Sequence, residues 1–548
     1  MATSPSPPVS GTQLRETAPP APGSPAARGG SGQRPQPSIP ALIFGIWALL
    51  VPLALQHRVL NADGDLARHL RHGEFMLQQR GLIRADPFSF TRPGDPFVGL
   101  EYGSQLLFAL AHRWGGLPGV AVLTGLLIGA TYALLARLLL RRGVDPLLAY
   151  LTAMVASVLG AVHWVARPHL VSLLAVVVLL HLLERRGRTS AWLALPLFAL
   201  WSNLHGGFVY GLTLVGLYLA GSLAEMLGKK DQGEWRETTR YYAAVLGFSL
   251  LGTMLNPHGP MLYLHIVRHL GDSFVIDNTS EFMSPDFHQA VGRYFLVVLL
   301  LTIGALGLSR RRPSYPALFV ILGNTAFALV SIRNIPLFGL TAVAVLALHV
   351  DPEWRLLPDF RDIRAVFARD AGRGTTLPWI APTVVVLLLL GMSHGRVGRI
   401  RLLAEGFDPN VFPVEAVRRA RAERLEGRIF SEFTWGGYLL YAWPEQRVFL
   451  DGGTDFYGAE LLRTQMEIRS LAPDWRQRLR AWDIGLILVG SGSTLAYELT
   501  HERGWSLWYC DKTAALFQRT PAGTPLLPGE SSEMKLRGCS PPRIPTQP

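Results

Sequence analysis

Apolar residues in this chain fall into long unbroken runs, with polar punctuation between them, rather than into the alternation of half-buried helices or strands. Eleven such runs are read as membrane-spanning helices: 40–56, 117–139, 145–162, 169–184, 190–203, 207–227, 240–256, 291–309, 314–331, 335–350 and 378–395. A twelfth, 104–113, is too short to span and is expected to lie in the membrane interface. Residues 1–39 are rich in Pro, Ser, Gly and Ala without periodicity and are expected to be a disordered tail. No cationic segment precedes the first apolar run in the manner of a cleavable signal. The expected organisation is a transmembrane domain over 40–395, with a first outer loop and juxtamembrane helices over 57–116. An α/β domain over 396–520 and a loose tail over 521–548 follow.

The C-terminal pattern changes period. Runs at 428–431, 447–451, 484–489, 505–509 and 514–517 read as strands, and helical stretches at 435–442, 458–481 and 493–502 lie between the first four. The fold class expected is therefore an α-helical polytopic membrane protein of about eleven transmembrane helices, with a small extracytoplasmic α/β domain.

Composition agrees. Of 548 residues, 49% are apolar and 17% charged, against about 25% charged in soluble domains. The net charge of +12 is what cytoplasmic loops of a membrane protein carry and does not argue for nucleic acid. Arg141-Arg142, Glu184 to Arg188, Lys229-Lys230 through Arg240, and Arg310 to Arg312 share one side if spans alternate. That side is read as cytoplasmic, which puts the N-terminus inside and the first loop and C-terminal domain outside. The setting expected is the inner (cytoplasmic) membrane of a cell envelope. Cys510 and Cys539 could pair outside the cytoplasm, but two unpaired thiols are expected, because Cys539 sits in the loose tail.

The same parity collects the unusual polar motifs on the opposite face: Asp63-Gly64-Asp65, His163 to His169, Asn203 to Gly207, Asn256 to Gly259, Glu281 to Asp286, and Ser331 to Asn334. Asp63 can cap a helix beginning at Gly64, on which Asp65, Arg68, His69 and His72 form one face. Leu66, Leu70 and Leu77 could rest on the membrane surface, and Phe88, Phe90 and Phe97 could anchor the loop at the headgroups. A carboxylate beside Arg and His is a candidate general base, while an N-cap with a solvated charged face is the plainer alternative. Glu101 is a second cavity carboxylate or simply favourable charge at a helix start. Arg167 and Arg333 suit a phosphate, or snorkel to the interface. His163, His169, His205 and His258 lack a dependable metal spacing. A divalent metal stays possible, with hydrogen bonding to phosphate or sugar preferred. Asp, Thr and aromatic residues in Glu432 to Tyr438 and Leu450 to Tyr457 suit carbohydrate contact, but Gly-Gly beside a strand is ordinary turn chemistry, and that reading is preferred. No motif for nucleotide binding or a serine hydrolase is present.

Together, Ala166-Arg167-Pro168-His169, Trp201 to Gly207, Leu255 to Gly259, Ile332 to Pro336, Trp435-Gly436-Gly437-Tyr438 and Phe449 to Gly452 resemble bacterial GT-C-type, glycosyltransferase-like membrane proteins, relatives of the protein O-mannosyltransferases. The resemblance covers roughly 41–519. It implies inverting transfer of a sugar from a polyprenyl-phosphate donor to a glycan, lipid or protein acceptor on the outer face. It gives the base role to Asp65, with Asp63 as competitor. Glu101 and His69, with Arg167, His169, His205 and Arg333, would then contact substrate. The chain has Asp-Gly-Asp and Asp86-Pro87-Phe88 where the mannosyltransferases have Asp-Glu and His-Pro-Pro. The rival readings are a transporter or flippase, disfavoured because the polar groups cluster at one end of the spans rather than at midplane, and a non-catalytic scaffold.

Overall fold

The computed structural model describes residues 36–184, 190–228, 233–520 and Cys539, setting aside the side chains of 370–373. Most of each expected tail, and the Arg/Lys runs at 185–188 and 229–230, lie outside these residues.

Each of the eleven apolar runs is helical. By length and composition five helices can cross a membrane: Tyr102–Arg141, Pro146–His163, Phe208–Gly228, Ala290–Leu308 and Ile332–Trp354. Five more apolar helices are 10–17 residues long. The remaining expected span falls on Gly233–Thr253, whose first turns carry Glu234, Arg236, Glu237 and Arg240. The protein is a multi-pass membrane protein in which the chain repeatedly reverses. Loops expected to share an end do meet: Arg142 pairs with Glu184 at 3.0 Å, and Glu225 accepts the Tyr315 amide at 2.9 Å.

The expected interfacial helix and the next span are one long helix broken at Gly115 and Gly116. Gly116 adopts φ 64°, which an L side chain avoids, and this lets the chain turn out of the membrane plane into the span. The first part packs on the helix Asp65–Gln79, whose start is fixed where Asp63 Oδ1 accepts the Asp65 amide at 3.0 Å. That helix is not a surface helix. Leu66 and Leu70 are buried in the core, as are His69 and His72, so neither the membrane-facing stripe nor the solvated charged face exists. The reason is that the C-terminal domain covers it.

That domain carries a four-stranded sheet: β1 Arg428–Ser431, β2 Ile484–Gly490, β3 Trp505–Cys510 and β4 Ala514–Arg519, in the order β1-β2-β4-β3. β1 and β2 are parallel and the other pairs antiparallel. The expected strand 447–451 reduces to a single bridging residue, Val448, set between Ile429 of β1 and Ser89 of the first loop. The loop thus adds itself to the sheet edge: Val448 N–H donates to Phe88 O and Phe90 N–H to Val448 O, each at 3.1 Å. Phe88, Phe90 and Phe97 consequently face His72, Phe449 and Phe456 rather than lipid headgroups. The expected 458–481 helix is two, Thr454–Arg469 and Trp475–Ala481, and a helix Val414–Ala422 precedes β1. Cys510 and Cys539 form a disulfide, Cα–Cα 5.9 Å, correcting the expectation of free thiols: the end of β3 holds the tail cysteine beside it.

Candidate functional site

A cavity of about 970 Å³ lies where the first loop, the ends of the spans and the C-terminal domain meet. All eight residues singled out from the sequence line it: Asp63, Asp65, His69, Glu101, Arg167, His169, His205 and Arg333.

The aspartates are presented by a backbone fitted without clearance against the C-terminal domain. A Cβ on Gly64 would stand 1.8 Å from Thr434 O, and one on Gly437 would stand 2.5 Å from Gly64 O. Only glycine permits this approach, so Gly437 and the Thr434 backbone are a docking surface for the Asp63–Asp65 turn, while Gly436 packs closely on Leu450 and Asp451. On the far side, Arg167 binds Asp65 and Glu281 directly and lies 3.5 Å from Asp63. Arg68 approaches Asp65 from its own helix at 3.7 Å. Burial raises the Asp63 carboxyl above its ordinary range, against the pull of Arg167. For Glu281 burial also pushes upward, but Arg167, Arg333 and His163 together bring it below the usual glutamate value.

Further in, Glu101 lies 3.5 Å from His69 and 3.6 Å from His205. His169 Nε2 donates to His163 O at 2.6 Å and meets no carboxylate among the described residues. Arg333 stacks on Phe282 with its guanidinium carbon 4.7 Å from the ring centre and has no ion-pair partner among the described residues. Its nearest counter-charges, Glu281 and Glu101, act on it across the cavity rather than in contact. Apolar residues, among them Leu173, Val209, Phe327 and Leu337, line the same cavity.

Sequence reasoning set Asp451 and Asp455 aside as turn residues, and the structure brings both to the cavity. Asp451 lies 3.6 Å from His72, and its Oδ1 accepts the Gly453 amide at 3.0 Å; Asp455 lies 3.3 Å from His265. For Asp451 burial pushes upward, and His72 and Arg68 overcome it. The signal was there in Asp-Gly-Gly-Thr-Asp, two carboxylates spaced across a tight turn. Arg68 and Glu281 were noted as neighbours of the motifs but not as members of the site.

Among the described residues no group of three His, Cys, Asp or Glu side chains is arranged to hold a metal ion. The natural set, Asp63, Asp65 and Glu281, is already gathered around the Arg167 guanidinium, and as arranged it does not fit a cation.

No protein-family model matches the chain, and no curated protein matches it. Solved structures do. The archaeal oligosaccharyltransferase AglB from Archaeoglobus fulgidus, in complex with an inhibitory peptide and a dolichol-phosphate, is 13% identical, with 91% of this chain and 76% of that chain covered at a TM-score of 0.51. The oligosaccharyltransferase of the same organism tethered to an acceptor peptide is 12% identical, with 89% and 74% covered, also at 0.51. ArnT from Cupriavidus metallidurans bound to undecaprenyl phosphate is 14% identical, with 88% and 99% covered at 0.45. The two oligosaccharyltransferase likenesses show the fold: this chain is built on the GT-C plan, a polytopic helical bundle with a C-terminal domain.

Proposed function

We propose that the protein is a membrane glycosyltransferase, moving a sugar from a polyprenyl-phosphate donor to an acceptor on the outer face of the membrane. The observation that carries this reading is the Arg333 guanidinium, which makes no ion pair among the described residues, set in the same cavity as the Asp63, Asp65 and Glu101 carboxylates and as the apolar residues Leu173, Val209, Phe327 and Leu337. A phosphate on a lipid satisfies both features at once: the anion meets Arg333, and the chain lies along Leu173, Val209, Phe327 and Leu337. AglB has been solved with dolichol-phosphate, a compound of this class.

In the transfer, the acceptor hydroxyl attacks the anomeric carbon from the carboxylate side as the phosphate departs toward Arg333, giving inversion. A carboxylate takes the hydroxyl proton, the role the resemblance gives to Asp65 or Asp63. Arg333 and Arg167 stabilise charge growing on the phosphate. On this reading the N-terminus is cytoplasmic, and 396–520 is an extracytoplasmic domain that closes the site and contacts the acceptor.

The test is a comparison of envelope glycans and lipid-linked sugars between cells with and without the protein, alongside Asp65→Asn at matched protein level. One polyprenyl-phosphate sugar should accumulate and one glycan should be lost, in the variant as in the deletion. Unchanged profiles in the deletion would leave the scaffold reading.

A further inference from the structure

Glu101 differs from the other carboxylates of the cavity in what holds it. Asp63 and Asp65 are bound to Arg167. Glu101 has no Arg or Lys within ion-pairing distance among the described residues. Instead Oε2 faces His69 Nδ1 and Oε1 faces His205 Nε2.

The proton position on His205 is set by geometry. The Gly207 amide donates to His205 Nδ1 at 3.0 Å, so Nδ1 is an acceptor. Ser172 Oγ stands 2.7 Å from the same nitrogen and itself accepts the indole N–H of buried Trp201 at 2.7 Å. Its own hydroxyl proton is therefore free to point at Nδ1. Two donors on Nδ1 leave the ring proton on Nε2, the nitrogen that faces Glu101. Hydrogen bonds link Trp201, Ser172 and His205 from the helical core outward, and His205 Nε2 then faces Glu101 Oε1 at 3.6 Å at the cavity surface.

We propose that Glu101, oriented by His205, is the carboxylate that takes the acceptor's hydroxyl proton, while Asp65 and Asp63 remain on Arg167 and position the acceptor. This rests on the transferase reading above. The acceptor oxygen bonds to the anomeric carbon, the carbon–oxygen bond to phosphate breaks with its electron pair left on the phosphate, and the proton passes from the acceptor oxygen to Glu101. His205 is a positioning residue.

The electrostatics agree with the geometry. Burial pushes Glu101 up to about 7, with Arg68 opposing and Asp455 adding to the rise. Arg333 and Glu281 face it from the spans. Burial holds His205 down to about 3 and His69 well below its ordinary value, so both rings stay neutral while Glu101 titrates. A base works best with its pKa near the working pH.

Infrared difference titration of the purified full chain in detergent, following the C=O stretch of a protonated carboxylic acid, tests this without a known substrate. Wild type should show a band titrating near pH 7. Glu101→Gln should abolish it, Asp65→Asn and Asp63→Asn should retain it, and Ser172→Ala should move its midpoint, because Nδ1 loses one donor. In cells Glu101→Gln, at normal protein level, should lower glycan product about 100-fold or more. A band lost with either aspartate and kept in Glu101→Gln, or full product from Glu101→Gln, overturns the assignment and leaves the transferase standing. An unchanged lipid-linked sugar pool in the deletion strain removes the transferase reading instead.

Discussion

The two ends of the helical bundle handle charge in different ways. At the end carrying Arg142 and Glu184 the contrast lies in the arginines: Arg142 pairs with Glu184 at 3.0 Å and Arg355 with Asp351 at 2.7 Å, each arginine more than a third exposed though each carboxylate is only 14% exposed. At the other end Arg167 is 20% exposed and is shared by Asp63, Asp65 and Glu281, while Arg333 makes no ion pair among the described residues. Surface pairs contribute little, whereas one partner removed from a buried cluster leaves charges that cannot return to water. At the first end the arginines keep contact with water. At the second, charge is held at a cost in stability, which marks a site.

The largest effect should follow from removing the hub of that cluster. Arg167→Ala leaves three carboxylates facing one another and should lower stability by about 3–5 kcal/mol, read as a drop in thermal unfolding temperature of the detergent-solubilised protein. Adding Asp63→Asn should recover part of that loss. If Arg167→Ala unfolds like wild type, the cluster is hydrated and the contrast between the ends fails.

Glu101 sharpens the contrast through pH. Its pKa is raised from 4.5 to about 7, so the folded state binds this proton more tightly than the unfolded chain does. The stabilisation is complete below about pH 4.5 and is lost as pH rises through about 7. Wild type should therefore fall behind Glu101→Gln between pH 5 and 8.5, by at most about 3 kcal/mol at about 1.4 kcal/mol per pKa unit. Parallel stability curves for the two proteins would place Glu101 in water.

How much of this could be read from the chain follows from which signals are local. Apolar runs of 15–20 residues announce helices by themselves, so the bundle and the side each loop shares were legible. So were Asp65, Glu101, Arg167 and Arg333, because charge next to a span is costly and needs a reason. Asp451 was not, because an Asp before Gly-Gly has a sufficient local explanation as a turn. Only the docking of that turn on the helix Asp65–Gln79 turns it toward His72. The burial of Leu66 and Leu70, and the turning inward of Phe88, were hidden for the same reason. An amphipathic helix looks alike whether a membrane or a distant domain covers it, and the covering segment lies more than 350 residues away in sequence.

The dependence on that docking gives the next prediction. Gly437→Ala places a methyl 2.5 Å from Gly64 O and 3.0 Å from Arg68 Cβ. Backbone cannot yield as a flexible side chain does, so the domain must shift, at about 1–3 kcal/mol. Limited proteolysis should cut the variant faster near 396–410, between the last span and the sheet, while the spans stay protected. Equal cutting rates would show that the domain is held elsewhere.

The smallest effect belongs to the other end. Arg142→Ala removes an arginine whose side chain is 38% exposed, from a pair with Glu184 that is 14% exposed. Its Nη1 also donates to the Glu184 carbonyl at 3.1 Å, a contact water can replace. The expected loss is within about 1 kcal/mol, and 0.5 M salt should shrink it further, since the Debye length there is well under 10 Å. Glycan product should be unchanged, because nothing links this pair to the cavity across the thickness of the bundle. A loss as large as that of Arg167→Ala would mean that both ends hold their charges in the same dry surroundings, and exposure would then no longer tell a functional cluster from a decorative one.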